Sequence, residues 1–267
     1  TKLTAVEIPE GVTSIGYRAF AGCSGLTSVT IPESVTSIGS GAFYDCSSLI
    51  TGVTIPKGVT SIASAIFHGC SRLTSVTIPE GVTSIGGSAF YGCSNLTSVT
   101  IPEGVVSLGY FAFHGCSSLT SVTIPEGVPS IGDHVFYGCS KLTSVVIPEG
   151  VTSIGSSAFA GCSSLTSVTI PEDVTSIGSS AFSSCSGLTS VTIPESVTSI
   201  DSAAFSGCDK LKHVYYGGSD LQWKEIEIGN YNYNLTDAII HYASTHAHNV
   251  ELSLIHISEP TRHSLIS

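Results

Sequence analysis

Apolar and polar positions along this chain follow a pattern that returns every 23 residues. In one copy, TSIGSSAFAGCSSLTSVTIPE from Thr152 to Glu172, the apolar positions are Ile154, Ala158, Phe159, Cys162, Leu165, Val168 and Ile170, with Val174 opening the next group. The segment LTSVTI alternates with a period of two, so it reads as a short strand with Val168 and Ile170 inward and Ser167 and Thr169 outward. Pro171 ends it, because proline has no N–H for a strand ladder. VTSI, from Val174 to Ile177, reads as a second short extended piece, after which Gly178 releases the chain into a bend. SSAFSSC is too short for a full helix and reads as a turn or a single helical turn, 3-10 or α.

The repeat is tracked by three residue types. Cysteine recurs at Cys23, Cys46, Cys70, Cys93, Cys116, Cys139, Cys162, Cys185 and Cys208, with one interval of 24 where LITGVTIP carries the extra Ile50. The proline series from Pro9 to Pro194 and the phenylalanine series from Phe20 to Phe205 keep the same step. A fixed period of this length predicts a solenoid. About eight apolar side chains per unit cannot close a core alone; stacked on like neighbours they form continuous ladders, with stability summed over adjacent turns. Parallel strands about 4.8 Å apart make nine turns a rod of roughly 40 to 45 Å.

Composition narrows the function. The net charge is -11 with only nine Lys plus Arg, which disfavours nucleic acid and an anionic membrane surface. No run approaches the roughly 18 apolar residues of a membrane span. Ser and Thr are abundant but periodic, which argues against disorder. Each Cys sits at one core phase between the Phe and the Leu of its turn, so the series reads as buried free thiols acting as small hydrophobes. Disulfides or a metal site, with one Cys per turn and no CxxC, fit poorly. The chain has no Met and begins inside a repeat, TKLTAVEIPEG, as expected of a piece of a longer protein whose export signal lies elsewhere.

After Cys208 the code changes to DKLKHVYYGGSDLQWKEIEIGNYNYNLTDAIIHYAST. An open solenoid needs its last apolar face covered, so this segment reads as an end cap. Trp223, the only Trp, reads as a lid on the final turn, with a carbohydrate platform as the sharper alternative. Ile239 to Tyr242 reads as the last strand. The tail LSLIHISEPTRHSLIS, Leu252 to Ser267, continues neither pattern and resembles a translated sequencing-adapter tail. The division expected is therefore a solenoid over 1–211, a capping repeat over 212–245, and a linker remnant with an artefactual tail over 246–267.

The unit IPEGVTSIGSSAFAGCSSLTSV resembles the BspA-type leucine-rich repeat, also called the Treponema pallidum type, over about Thr1 to Leu211. HVYYGGSDLQWKEIEIGNYNYNLTDAIIHY is similar to the terminal repeat of such proteins from gut Firmicutes. The resemblance implies a leucine-rich repeat solenoid of about nine 23-residue turns with short parallel strands, LTSVTI lying on the sheet face. It also implies a secreted or surface-attached protein of bacterial type, belonging to a family whose members bind matrix proteins or support adhesion and coaggregation. It carries no catalytic residues.

Three exposed ladders hold the candidate function. An acidic one, Glu10, Glu33, Glu80, Glu103, Glu126, Glu149, Glu172 and Glu195, follows the prolines, with Lys57 in the third copy. Neighbours about 5 Å apart in bulk water repel by about 0.8 kcal/mol, so a solvated, solubilising edge suffices to explain them. A line attracting a basic partner is the sharper reading, and calcium wants more convergent oxygens. A hydroxyl face carries Ser28 and Thr30, Ser75 and Thr77, Ser98 and Thr100, Ser121 and Thr123, Ser167 and Thr169, Ser190 and Thr192. Its irregular members are Ala5, Glu7, Gly52, Val146, and then His213 and Tyr215. It is either a protein- or glycan-contacting surface or a set of plain strand formers on a wet sheet. An aromatic stripe, Tyr44, His68, Tyr91, His114 and Tyr137, flanked by Ala21 and Ala160, either anchors an interface or covers the turns beside it.

His68 and His114 lie two turns apart, too far for a metal; His241, His246 and His248 cluster loosely near the end. No cofactor or metal site and no Ser-His-Asp arrangement is expected, and neither GYFAFHG nor YYGGSD is a phosphate-cradling loop. The reading is a monomeric, non-enzymatic scaffold outside the cell that binds a host or bacterial surface protein or glycan. The alternative is a passive spacer or display arm. An enzyme acting on polysaccharide would need carboxylates converging in a groove, and the ladder supplies only a regular edge.

Overall fold

The computed structural model describes residues 3–243; the tail from 246 to 267, with His246 and His248, lies outside them. The chain winds as a solenoid with two lines of short strands, every pairing parallel. The first line holds the LTSVT segments, for example Ser167–Thr169, Ser190–Ile193 and His213–Tyr216. Equivalent residues lie in register: Val168 pairs with Val191, and Val191 with Val214. The second line holds the two-residue pieces of VTSI, such as Ser153–Ile154, Ser176–Ile177 and Ser199–Ile200. The stretch between them forms turns, not a helix. The first line is interrupted in three places: between Ser28–Thr30 and Val53–Thr54, where Ile50 lengthens the interval, between Ser98–Val99 and Ser121–Thr123, and between Ser144–Val146 and Ser167–Thr169.

The interior is a set of columns. Phe43, Phe67, Phe90, Phe113, Phe136, Phe159, Phe182 and Phe205 are fully buried, and successive rings from Phe20 to Phe205 stack with centroids 5.2 to 5.7 Å apart. Burying one such ring contributes about 1.5–3 kcal/mol, and ring pairing adds roughly 0.5–1.5 kcal/mol, so this column outweighs any single polar contact. All nine cysteines are free and buried. Each thiol from Cys46 onward donates to the carbonyl of the Phe one turn back, as Cys46 to Phe20 at 3.1 Å and Cys93 to Phe67 at 3.2 Å. Cysteine thus combines small apolar bulk with a weak donor. Burial pushes the thiols of Cys93, Cys116 and Cys139 well up, and that of Cys208 to about 12, which removes the thiolate needed for reactivity.

The turn between the strands is tied forward by three backbone bonds per copy. Arg18, Phe20 and Gly22 donate N–H to the carbonyls of Ser40, Ala42 and Tyr44 at 3.1, 2.8 and 2.7 Å, and the set recurs along the chain. Two positions per turn adopt left-handed backbone. One is glycine in most copies, as Gly138 and Gly161, but Asp45 and Ser184 in two. The other holds Arg18, Ala65, Ser88, Phe111, His134, Ser157, Ser180 and Ala203, at φ 52 to 62°. The bend is therefore made at Ser180, not at Gly178. Gly178 serves close approach: a Cβ there would sit 2.8 Å from backbone atoms of Gly155 and Ser156.

The end is closed by asparagines that the sequence reading did not single out. In the last full copy Ala203 donates to the Asn230 carbonyl at 2.7 Å. Phe205 and Gly207 donate to the side-chain oxygens of Asn232 and Asn234, both at 3.0 Å. Two amide side chains thus stand in for the carbonyls of a missing turn. Asn232 is buried and its Nδ2 donates to the carbonyls of Asp201 and Gly229. Trp223, on the short helix Asp220–Glu225, packs half-buried against the core and edge-on to Tyr216 at 5.2 Å, so it shares the covering with Ile226 and Leu235. Ile239–Tyr242 is the last described strand, paired with His213–Tyr216.

Two stability changes follow. Asn232→Ala strands the buried Phe205 N–H, and loss of about 2–3 kcal/mol is expected, read by urea denaturation, with the Phe205 and Gly207 amides losing hydrogen-exchange protection first. Ser184→Gly relieves a left-handed non-glycine residue and should raise stability by about 1 kcal/mol, visible as a higher urea midpoint.

Candidate binding surface

The hydroxyl groups of the repeat fall into distinct classes. The Thr that opens LTSV donates its hydroxyl to the carbonyl of its counterpart one turn back, as Thr97 to Thr74 at 3.3 Å and Thr120 to Thr97 at 3.4 Å. The Thr of VTSI does the same, as Thr175 to Thr152 and Thr198 to Thr175. So does the Ser after Cys, as Ser117 to Ser94 and Ser140 to Ser117. These hydroxyls are consumed in joining the turns. The strand-face pairs behave differently: Ser75 and Thr77, Ser98 and Thr100, Ser121 and Thr123, Ser167 and Thr169 are all exposed. Among the described residues none of these eight side chains hydrogen-bonds within the protein. In-register pairing, Ser75 with Ser98 and Thr169 with Thr192, holds their Cα atoms in rows. Thr30 is exposed and pairs with Glu7; Thr192 is half-buried.

The irregular members lie in the same rows. Val146 pairs with Thr123 and is 63% exposed, a bare apolar spot among hydroxyls. His213 and Tyr215 continue the rows of Ser190 and Thr192, and Ile239 and His241 follow them. Tyr215 stacks on His241 with centroids 4.7 Å apart. His241 also meets His213, with ring centroids 5.3 Å apart; its expected neighbours His246 and His248 lie outside the described residues.

The aromatic stripe is a column of rings. Tyr44, His68, Tyr91, His114 and Tyr137 stack at 4.4 to 4.6 Å with planes within 10°. The Arg18 guanidinium lies 4.9 Å over the Tyr44 ring, a cation–π cover. Stacking occupies the ring faces within the column, leaving mainly edges and tips to meet a partner. At the far end the next turn places Ala160 in this phase, and Tyr137 is 40% exposed. A second, shorter column was missed: Phe111 and His134 stack at 4.6 Å and flank His114 and Tyr137. Both occupy the left-handed position, unusual for bulky side chains. The signal was present in GYFAFHG and GDHVFYG, where aromatic or imidazole groups replace the Ser or Ala of other copies. Burial, and then the neighbouring His134, hold the His114 imidazole below its ordinary value of 6.5.

The acidic ladder lies exposed at each turn, Glu33, Glu80, Glu103, Glu126, Glu149, Glu172 and Glu195. Three of its carboxylates bond forward: Glu33 accepts from the Lys57 N–H at 3.2 Å, Glu149 from the Glu172 N–H at 3.3 Å and Glu195 from Gln222 Nε2 at 3.4 Å. At the longer repeat an open cavity of about 410 Å³ is lined by Lys57 between Glu33 and Glu80, with Thr54, Thr77 and Ile78. Among the described residues no three of His, Cys, Asp and Glu gather as a metal centre, and no helix is long and apolar enough to cross a membrane.

The pattern of the BspA type leucine rich repeat region matches residues 1–119 and 106–235. A leucine-rich repeat protein from Bacteroides ovatus is 32% identical, with a TM-score of 0.64, over 80% of this chain and 63% of that one. The chain thus spans under two thirds of that relative's length. A leucine rich cell surface protein from Faecalibacterium prausnitzii is 33% identical over 85% of this chain and 76% of that one, with a TM-score of 0.48. The T. pallidum leucine rich repeat protein, 24% identical over 84% of this chain and 82% of that one with a TM-score of 0.52, shares the fold. No curated protein matches the chain.

The His114 environment gives a pH test. A depressed folded-state value means the unfolded chain takes the proton more readily, so stability is full above about 6.5 and falls as the pH drops below it. Thermal melts should show the wild type losing more stability between pH 7.5 and 5.5 than His114→Tyr, which keeps a ring in the column.

Proposed function

Because the chain belongs to the family of BspA type leucine rich repeat regions, we propose that it is a non-enzymatic binding scaffold whose contact surface is the strand face. Its partner is a protein or glycan displayed on a host or bacterial surface, and the scaffold works outside the cell in adhesion. One observation carries the contact surface. The hydroxyls of three other ladders are bonded within the solenoid, as Thr97, Thr175 and Ser117 are. Those of Ser75, Thr77, Ser98, Thr100, Ser121 and Thr123 are exposed and form no bond within the described protein.

Such a face offers many donors and acceptors on a frame already ordered, so little entropy is lost on contact. Its lack of charge favours neutral, polar partners, and Val146, Tyr215 and Tyr137 supply exposed apolar anchors. The extracellular setting rests on the family resemblance.

The test is biolayer interferometry against mucin glycans, matrix proteins and bacterial-surface polysaccharide. A Thr77→Lys/Thr100→Lys/Thr123→Lys variant should bind at least tenfold more weakly while keeping its fold by circular dichroism. Binding indifferent to the triple variant would refute the strand face as the contact. No saturable binding to any of these probes would leave the spacer reading standing instead.

A further inference from the structure

The last two described strands bring together two of the nine histidines. Tyr215 pairs with His241, and His213 with Ile239, so the imidazoles meet on the diagonal between adjacent parallel strands. His213 Nδ1 lies 3.1 Å from His241 Nε2. His213 is half-buried and His241 exposed, and the Tyr215 ring stacked at 4.7 Å limits the swing of His241. The pair lies 28 residues apart in sequence: the capping segment, longer than a repeat, lengthens the strand step to that from His213 to Ile239, and the diagonal adds two residues more.

A separation of 3.1 Å fits one shared proton. It also fits two ligands on one ion: metal–nitrogen bonds of about 2.0–2.1 Å meeting at about 90–110° place the nitrogens roughly 2.9–3.4 Å apart. We propose that His213 and His241 form a two-imidazole site for a borderline divalent transition ion such as Cu²⁺, Ni²⁺ or Zn²⁺, with water completing the coordination. Imidazole pairs suit these ions, whereas Ca²⁺ and Mg²⁺ demand oxygen. The ion takes the place of the proton between the two nitrogens; that proton shifts by way of solvent to the donor ring's other nitrogen, so that both imidazoles stay neutral. Each ring turns its lone pair outward, which the exposed His241 can do. Because both ligands stand on paired strands, the second bond forms with little added ordering cost. The other described histidines offer no such pair: the rings of His114 and His134 are 6.4 Å apart and tilted, and His68 lies between Tyr44 and Tyr91 in the column.

Binding here joins Ile239–Tyr242 to His213–Tyr216, so the ion stabilises the closing end by mass action. The metal-loaded site is independent of the strand-face reading.

The experiment is isothermal titration of Cu²⁺, Ni²⁺ and Zn²⁺ into the full chain at pH 7.5, with thermal melts alongside. One ion per chain is expected, Cu²⁺ tightest, as its place at the head of the divalent affinity order dictates. At least tenfold weakening is expected in His213→Gln and in His241→Gln, with loss of the metal-induced rise in melting temperature. A His246→Ala/His248→Ala variant should bind as the wild type does. Equal affinity in His213→Gln and His241→Gln, or loss of binding only in His246→Ala/His248→Ala, overturns the assignment. So does the absence of measurable uptake of all three ions by the wild type.

Discussion

A buried N–H must find an acceptor, and in this solenoid the central Phe of each copy finds it in the following turn, with a bond of the same kind on either side. The Phe at the centre of each turn is sealed from water, so its amide has no alternative partner and an unmet bond would cost about 1–3 kcal/mol. This one demand orders the molecule. It sets turn on turn at the spacing where Phe rings stack and thiols reach the previous Phe carbonyl. It requires left-handed backbone at two positions, so that the amides point along the axis. It also explains why the array cannot simply stop: Asn232 and Asn234 present amide oxygens where the next turn's carbonyls would be.

The same geometry decides which polar residues remain for a partner. Most hydroxyls of the repeat look alike in composition, yet the Thr before most strands and the Ser after the Cys in four copies are spent on the turn behind. The strand-face Ser and Thr project together from the outer face and keep their bonding capacity. The aromatic column follows an opposite logic: its rings satisfy one another, so five aromatic groups expose far less stacking surface than five separate ones would.

Much of this was legible in the sequence, because the period, the two-residue alternation and the common phase of Phe, Cys and Leu each report burial directly. The last described strand, Ile239–Tyr242, was legible as a short run of strand-forming residues after the cap. Three features were not legible. Left-handed backbone at Ser157 or His134 carries no glycine to announce it, since neighbouring turns impose it. The role of Asn232 depends on a side chain imitating backbone, which no periodicity marks. The meeting of His213 with His241 depends on the length of the cap, which lengthens the step so that Ile239 pairs with His213 and His241 falls on the diagonal. Strand pairing places His241 beside a residue from the preceding turn, a contact that nearness along the chain does not announce.

Interchangeable rungs carry a hazard of their own. The bond from Phe67 to Ala89 is chemically the same as that from Phe90 to Ala112, so a folding chain that skipped a copy would lose one set of contacts and meet an equally good partner beyond it. Closing out the omitted loop is cheap, since the entropy of closure grows only slowly with length. What makes such a slip detectable is the handful of unequal rungs. Skipping the copy that holds Tyr91 would lay His68 against His114 and put two imidazoles where the native order alternates them with phenols. The irregular side chains thus work as an address along an otherwise uniform ladder, and homogenising them would leave every contact in place while erasing the means of counting turns.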